Sequence, residues 1–305
     1  MNSARLSRAP NHFSSLSVSL GILCHFTAHF THTELPARLP CMTTPESPLR
    51  MAPPLEVPLS NAPLVRVIAQ VRFPLVVAIE QRDFVAPFQE AIRGQYPILR
   101  QDHMHGVLVS PAGLTPQAPQ TVWRFSDETN SWRISLAPEF LALETVAYSS
   151  RSDFLARFRE AVSPLATHVN PKLIDRVGVR YIDRMVGDAM KDVVVLLRPE
   201  VRGILGSPLA ADASHSICES VFSVDGAGLI TRWGSLPPGA TVDPAAIEPT
   251  SQPSWILDLD MFSSGPTPFS VERAVQDVAR FAERIYTVFR WAVTDDFLRR
   301  YGGKL

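Results

Sequence analysis

Two segments of the chain alternate between apolar and polar positions with the period of a β-strand. They read "LVRVIAQVRF" (residues 64–73) and "DRVGVRYIDRM" (residues 175–185). Alternation with β-branched residues indicates half-buried strands. Val67 corresponds to Val177 and Val71 to Tyr181, an offset of 110 residues. Similarity at a fixed offset predicts an internal duplication.

Each of these strands is followed by a helical segment, several further strands and a long amphipathic helix. The last helix of the second half follows Ser270, a residue type that favours helix N-caps. "VDGAG" (residues 224–228) predicts a tight hairpin. We interpret "SWRISL" (residues 131–136) and "SWILDL" (residues 254–259) as equivalent strands of the two halves.

This order of elements predicts an α+β protein with a mainly antiparallel sheet. Residues 61–303 form a single domain in this interpretation, built from β-α-β-β-β(-β)-α pseudo-repeats over residues 61–170 and 171–303. Two such units join most simply into one curved sheet with the helices on one face. By analogy, the topology is like that of the TATA-binding protein, although a fold does not carry a function with it.

Residues 1–60 are rich in Ser, Pro, Thr and His and show no sustained period. We interpret them as a disordered N-terminal extension, with the true start of the protein at Met42 or Met51. An export signal around residues 16–24 is the alternative, but three histidines follow that run and no small-residue cleavage site ends it. No segment reaches the roughly 18 apolar residues of a membrane span, so we expect no membrane association.

Charge and cysteine content narrow the functional classes. The 29 basic and 30 acidic residues give a net charge of −1. This balance does not favour binding to nucleic acid, which normally requires a basic excess. Of the three cysteines, only Cys218 lies in the predicted domain, which indicates a reducing, cytoplasmic location.

The chain also resembles a sporadically distributed bacterial protein family of uncharacterised function. The resemblance runs from about residue 62 to 303. It rests on "PLVRVIAQVRFP", "FQEAIRGQYP", "DRVGVRYIDRM" and "VFRWAVTDDFLRRYG". It implies a single-domain cytoplasmic protein of similar build, and it implies no activity, cofactor or catalytic residue.

The candidate site residues are charged residues on the polar side of predicted strands. They are Arg66, Arg72, Arg133, Arg176, Arg180, Arg184, Asp258 and Asp260. Three interpretations stay open: a ladder of ion pairs on the sheet surface, a face that recognises an anionic ligand, and a metal site at the Asp-x-Asp pair. We favour the ladder for most of these residues.

Catalytic motifs give little support for an enzyme. GxxxxGK[ST], GxGxxG, GxSxG and HExxH are all absent from the sequence. We therefore expect a non-catalytic cytoplasmic protein that binds a protein partner, a second copy of itself or a small anionic ligand on the exposed sheet face, without a cofactor. A metal-assisted hydrolase using Asp258 and Asp260 and a nucleic-acid-binding protein are the alternatives.

Overall fold

A nine-stranded antiparallel sheet forms the centre of the protein. The computed structural model describes residues 46–104, 107–110, 113–116 and 119–305. Its strands are β1 (Leu64–Arg72), β2 (Ile98–Met104), β3 (Val107–Ser110), β4 (Gly113–Pro116), β5 (Gln120–Ser126), β6 (Trp132–Ala137), β7 (Phe140–Thr145), β8 (Leu173–Val186), β9 (Ser216–Val224), β10 (Ala227–Leu236) and β11 (Ser254–Pro268). The order across the large sheet is β2-β5-β6-β7-β1-β8-β11-β10-β9, and β3 pairs with β4 apart from it. The predicted α+β class with an antiparallel sheet is confirmed.

Helices cover one face of this sheet. They are α1 (Arg82–Ile92), α2 (Arg151–Pro164), α3 (Asp188–Lys191), α4 (Val193–Leu196), α5 (Pro199–Arg202), α6 (Val271–Ala292) and α7 (Asp295–Arg300). The Ser270 hydroxyl accepts a hydrogen bond of 3.3 Å from the Arg273 N–H, which confirms the predicted cap of α6. Within the described ranges, no helix has the length and apolar character that a membrane crossing requires.

The main hydrophobic core lies between the sheet and the helices α1, α2 and α6. Val67, Val177 and Val179 point into it from the two central strands, and Phe158 and Phe281 from the helices. All five side chains are almost completely buried. Burying one side chain of this kind stabilises a protein by roughly 1.5–3 kcal/mol. The alternation seen in the sequence therefore decides which face of the sheet receives the helices.

The two segments with strand-like alternation, β1 and β8, are neighbours in the middle of the sheet. β1 and β8 pair antiparallel, with Ala69 opposite Val179. β7 lies beside β1 and β11 lies beside β8. The equivalence of "SWRISL" with "SWILDL" is wrong, because β6 is separated from β1 by β7 whereas β11 contacts β8 directly. The similar sequences of these two strands reflect only the residue pattern that buried strands have in common.

The opposite face of the sheet, called here the helix-free face, is only partly open. Its first half is formed by β2, β5, β6, β7 and β1, and its second half by β8, β11, β10 and β9. The connection between β10 and β11 (residues 237–253) folds over the second half. Ala246 and Ile247 of this connection pack on Ile182 and Ile256 of the sheet, and all four are nearly fully buried. The expected exposed sheet face is therefore corrected to a face whose second half is partly covered by residues 237–253.

Residues 46–60 lie against the helices and make specific contacts. The Tyr286 hydroxyl accepts a 2.7 Å hydrogen bond from the Val57 N–H and donates to the carbonyl of Leu55 at 3.2 Å. Arg151 forms ion pairs with Glu56 and Glu283. The prediction of disorder is thus wrong for this segment. Residues 1–45, which include Met42, lie outside the described residues, and the start of the protein at Met42 or Met51 stays a prediction.

Candidate functional site

All eight predicted site residues lie on strands of the sheet, where they form two separate groups. Arg176, Arg180 and Arg184 of β8 face Asp258 and Asp260 of β11 across one strand pair. The remaining arginines of the set, on β1 and β6, belong to the first half of the sheet. The two groups differ in how completely acidic residues neutralise them, and this difference separates structural residues from candidate binding residues.

Arg180 and Asp258 form the centre of the second group. The Arg180 guanidinium donates two hydrogen bonds of 2.8 Å to the Asp258 carboxylate and one of 2.7 Å to Asp243. The Asp258 side chain is 1% exposed. Burial opposes the charged form of Arg180, but the hydrogen bonds and charges of Asp258 and Asp243 outweigh it, and the pKa of Arg180 is raised. This pair is a buried, bidentate structural contact.

The other arginines of the second group also have partners, which are carboxylates for Arg176 and Arg232 and a backbone carbonyl for Arg184. Arg176 contacts Asp260 at 3.1 Å, and its guanidinium lies 4.3 Å from the centre of the Phe262 ring. Arg232 of β10, which the sequence argument missed, contacts Glu219 and reaches Asp258 at 3.4 Å. Arg184 donates to the carbonyl of Glu248 at 2.6 Å. The predicted ion-pair ladder is confirmed for Arg176 and Arg180.

This pairing weakens the metal-site interpretation of the Asp-x-Asp sequence. Two guanidinium groups occupy the Asp258 and Asp260 oxygens that a divalent cation would need. Among the described residues, no group of three or more His, Cys, Asp or Glu side chains is arranged to hold a metal ion. The donor set around these aspartates is therefore that of a salt-bridge network.

The first half of the helix-free face contains a shallow cavity of about 180 Å³, called here the basic depression. It is lined by Arg66, Arg100, Asp102, Arg124, Ser126, Asn130, Ser131, Arg133, Glu144, Thr145 and Val146. Four arginines and two carboxylates give its lining an excess of two positive charges. Ser126, Asn130, Ser131 and Thr145 add hydroxyl and amide groups that can hydrogen-bond to a ligand.

Acidic neighbours neutralise the arginines of the basic depression only in part. Glu144 accepts from Arg66 at 3.1 Å and also contacts Arg133, so one carboxylate serves two guanidinium groups. Arg124 contacts Asp102 at 3.1 Å. Arg100 stands directly opposite Arg124 in the β2–β5 pairing and has no ion pair among the described residues. Like charges directly opposite each other destabilise a sheet.

Arg72 is the one predicted site residue of the first half that does not line the basic depression. It lies on the helix-free face of β1 and contacts Glu139 at 3.3 Å, in the turn that joins β6 and β7. With a carboxylate of its own and no place in the lining of the basic depression, it is a structural pair.

A buried carboxyl group, Asp183, lies on the opposite face of β8. Because side chains alternate along a strand, Asp183 points to the same side of β8 as Val179 and Tyr181, which is the side of the main core. It is 8% exposed. Burial raises its pKa to about 7. Its strand neighbours in the sheet pairing are Leu64 and Leu257, and neither offers a charge. Asp183 therefore influences stability and takes no part in the helix-free face.

Sequence reasoning missed Arg100, Arg124 and Asp102, which complete the basic depression. Arg124 follows Trp123 in β5, and the pairing of β5 with β6 places it on the side of Arg133. Arg100 and Asp102 lie in β2, a strand that the sequence analysis does not predict. Recognising the alternation in "ILRQDHM" would have found them.

Comparison with known proteins adds no functional label. No protein-family model matches the chain, and no curated protein matches it at a significant level. The function is therefore inferred from the charges and geometry of the helix-free face.

Proposed function

We propose that the protein is a non-catalytic, cytoplasmic protein that binds a small anionic ligand in the basic depression. The observation that carries the proposal is the pairing of Arg100 with Arg124 across two strands, where Asp102 contacts Arg124 and Arg100 has no ion pair among the described residues. Placing like charges opposite each other is unfavourable in a sheet unless something else neutralises them. A bound anion supplies the missing charge.

The chemistry of arginine defines the class of ligand. A guanidinium group presents its N–H donors in a flat fork that matches the oxygens of a carboxylate or a phosphate. A cavity of about 180 Å³ lies below the roughly 300–1,000 Å³ of sites for drug-sized ligands. The ligand is accordingly a compact oxyanion with at least two negative charges, such as a phosphate group or a small di- or tricarboxylate.

The second half of the helix-free face supports this site as a scaffold. There, four arginines (Arg176, Arg180, Arg184 and Arg232) accompany four carboxylates (Glu219, Asp243, Asp258 and Asp260). The connection over residues 237–253 covers part of the same area. Because of both features, the basic depression is the part of the helix-free face where arginines outnumber carboxylates and can bind an anion.

We also propose that the two halves arose by duplication into a saddle like that of the TATA-binding protein. The β1–β8 register supports this: Val67 pairs with Tyr181, and Val177 pairs with Val71. Residues 110 apart therefore exchange places about an axis between Ala69 and Val179. The unequal charge of the two halves of the helix-free face then means that one half kept or acquired the binding role.

A thermal-shift panel tests the ligand proposal. We expect inorganic phosphate or citrate to raise the melting temperature, and chloride at equal ionic strength to leave it unchanged. At about five times Kd, binding adds about 1 kcal/mol. This corresponds to about 2–4 °C for a domain of this size.

The double variant Arg100→Gln/Arg124→Gln should fold and lose this shift. Arg93→Gln/Arg159→Gln removes two exposed charges, one directly after α1 and one on α2, and is the matched control, which should keep the shift. A panel without any anion-dependent shift, or one in which both double variants respond like the natural protein, contradicts the proposal.

A further inference from the structure

Strand β9 is an open edge of the large sheet. Among the described residues, β10 is the only strand that pairs with it. The two are joined by Asp225 (φ 50°) and Gly226 (φ 75°), and two central residues with positive φ are typical of a type I′ hairpin turn. Such a turn closes with a hydrogen-bonded pair, here Val224 and Ala227. Alternate residues, namely Ile217, Glu219, Val221 and Ser223, therefore direct their backbone N–H and C=O groups outwards.

This edge lacks the devices that normally prevent strand pairing. Natural edges are protected by charged side chains, especially lysine, by proline or by β-bulges. The sequence of β9, "SICESVFSV", has neither lysine nor proline, and its one charge, Glu219, is paired with Arg232. Val221 is 65% exposed. The opposite edge, β2, carries Arg100 and Asp102, so the two edges of the sheet are protected differently.

We propose that β9 pairs with β9 of a second copy of this chain, in antiparallel orientation, to form a two-fold symmetric dimer with one continuous sheet. An antiparallel partner that pairs all nine residues of Ser216–Val224 places Ser220 opposite its own equivalent. In this register Glu219 faces Val221 of the second copy, and Ile217 faces Ser223 of the second copy. Each exposed valine is covered, and no carboxylate stands opposite another.

Self-pairing fits this edge better than pairing with the other edge of the sheet. Contact of β9 with β2 of a second copy is a head-to-tail arrangement, which leaves free edges and continues into a filament. It also places the apolar β9 against the charged residues Arg100 and Asp102. A β9–β9 contact closes on itself. Because a single strand pair buries little surface, we expect a dimer with micromolar affinity.

Sedimentation analysis of the full chain across the micromolar range tests the proposal. We expect a concentration-dependent dimer. Val221→Lys places a charge on the shared edge and should give a monomer with an unchanged melting temperature. Val77→Lys is the matched control, since Val77 is 61% exposed and lies outside the sheet, and it should remain dimeric.

A cross-link tests the register. In a background with Cys24, Cys41 and Cys218 replaced by serine, Ser220→Cys should form an intermolecular disulfide on mild oxidation. The reason is that facing non-hydrogen-bonded residues bring their Cα atoms to about 4.5 Å, within disulfide range. The background without Ser220→Cys should stay uncross-linked. A monomer at every concentration, or a dimer that survives Val221→Lys, overturns the proposal.

Discussion

Replacing Asp258 with alanine is expected to destabilise the protein by about 3–5 kcal/mol. Asp258 is 1% exposed and accepts both hydrogen bonds of the Arg180 fork. Its loss leaves Arg180, whose side chain is 14% exposed, with Asp243 as its remaining carboxylate partner. A buried charge that loses its partner costs more than the pair itself contributes. Urea unfolding followed by circular dichroism measures the difference in the free energy of unfolding.

Asp260→Ala is the matched comparison for this prediction. Asp260 lies two residues further along the same strand and pairs with Arg176, but it is 20% exposed. Solvent screens this pair, so we expect a loss of about 1 kcal/mol or less. Equal effects of the two substitutions would show that burial does not set the importance of these pairs, and would refute the structural role assigned to Arg180 and Asp258.

Asp183 is expected to make the stability of the protein fall as the pH rises from about 4 to about 7. Burial raises its pKa to about 7 in the folded protein, whereas an unfolded aspartate has a pKa of about 3.9. Below both values the carboxyl is protonated in both states and adds no penalty. Between them only the unfolded chain gives up the proton, so unfolding is increasingly favoured. Above pH 7 the penalty levels off at about 4 kcal/mol at most.

The variant Asp183→Asn removes this titration while keeping the shape of the side chain. Its stability relative to the natural protein should therefore rise between pH 4 and pH 8 by up to about 4 kcal/mol. Asp175→Asn, on the exposed end of the same strand, is the control and should track the natural protein. If the Asp183→Asn curve runs parallel to that of the natural protein over this range, the carboxyl is not buried in the manner described.

The parts of the fold that could be predicted from the sequence are those set by local periodicity. The alternation of β1 and β8 and the apolar stripe and cap of α6 appear in the structure at the expected positions. The alternation of side chains along a strand also placed Arg180 and Asp258 on the polar face of the sheet. The same alternation places Asp183 on the apolar face. Because Asp183 shares the parity of Val177 and Val179, its burial was visible in the sequence although it was not predicted.

The parts that could not be predicted depend on contacts between distant segments. The basic depression exists because β2 pairs with β5 and brings Arg100 opposite Arg124, and no local pattern fixes that register. Asp243 reaches Arg180 from a connection whose path is set by packing on Ile182 and Ile256. The sequence therefore identified the charged face, whereas strand order decided which of its arginines are already neutralised.

Isothermal titration of inorganic phosphate and of citrate into the full chain tests the central claim most directly, namely that the basic depression binds a compact anion. We predict saturable binding at one site per chain that weakens as the salt concentration rises, since the contacts are between charges near solvent. Arg100→Gln/Arg124→Gln should abolish this binding, whereas Arg93→Gln/Arg159→Gln should leave it intact. Absence of saturable binding of either anion, or binding that the Arg100→Gln/Arg124→Gln variant retains, would contradict the account.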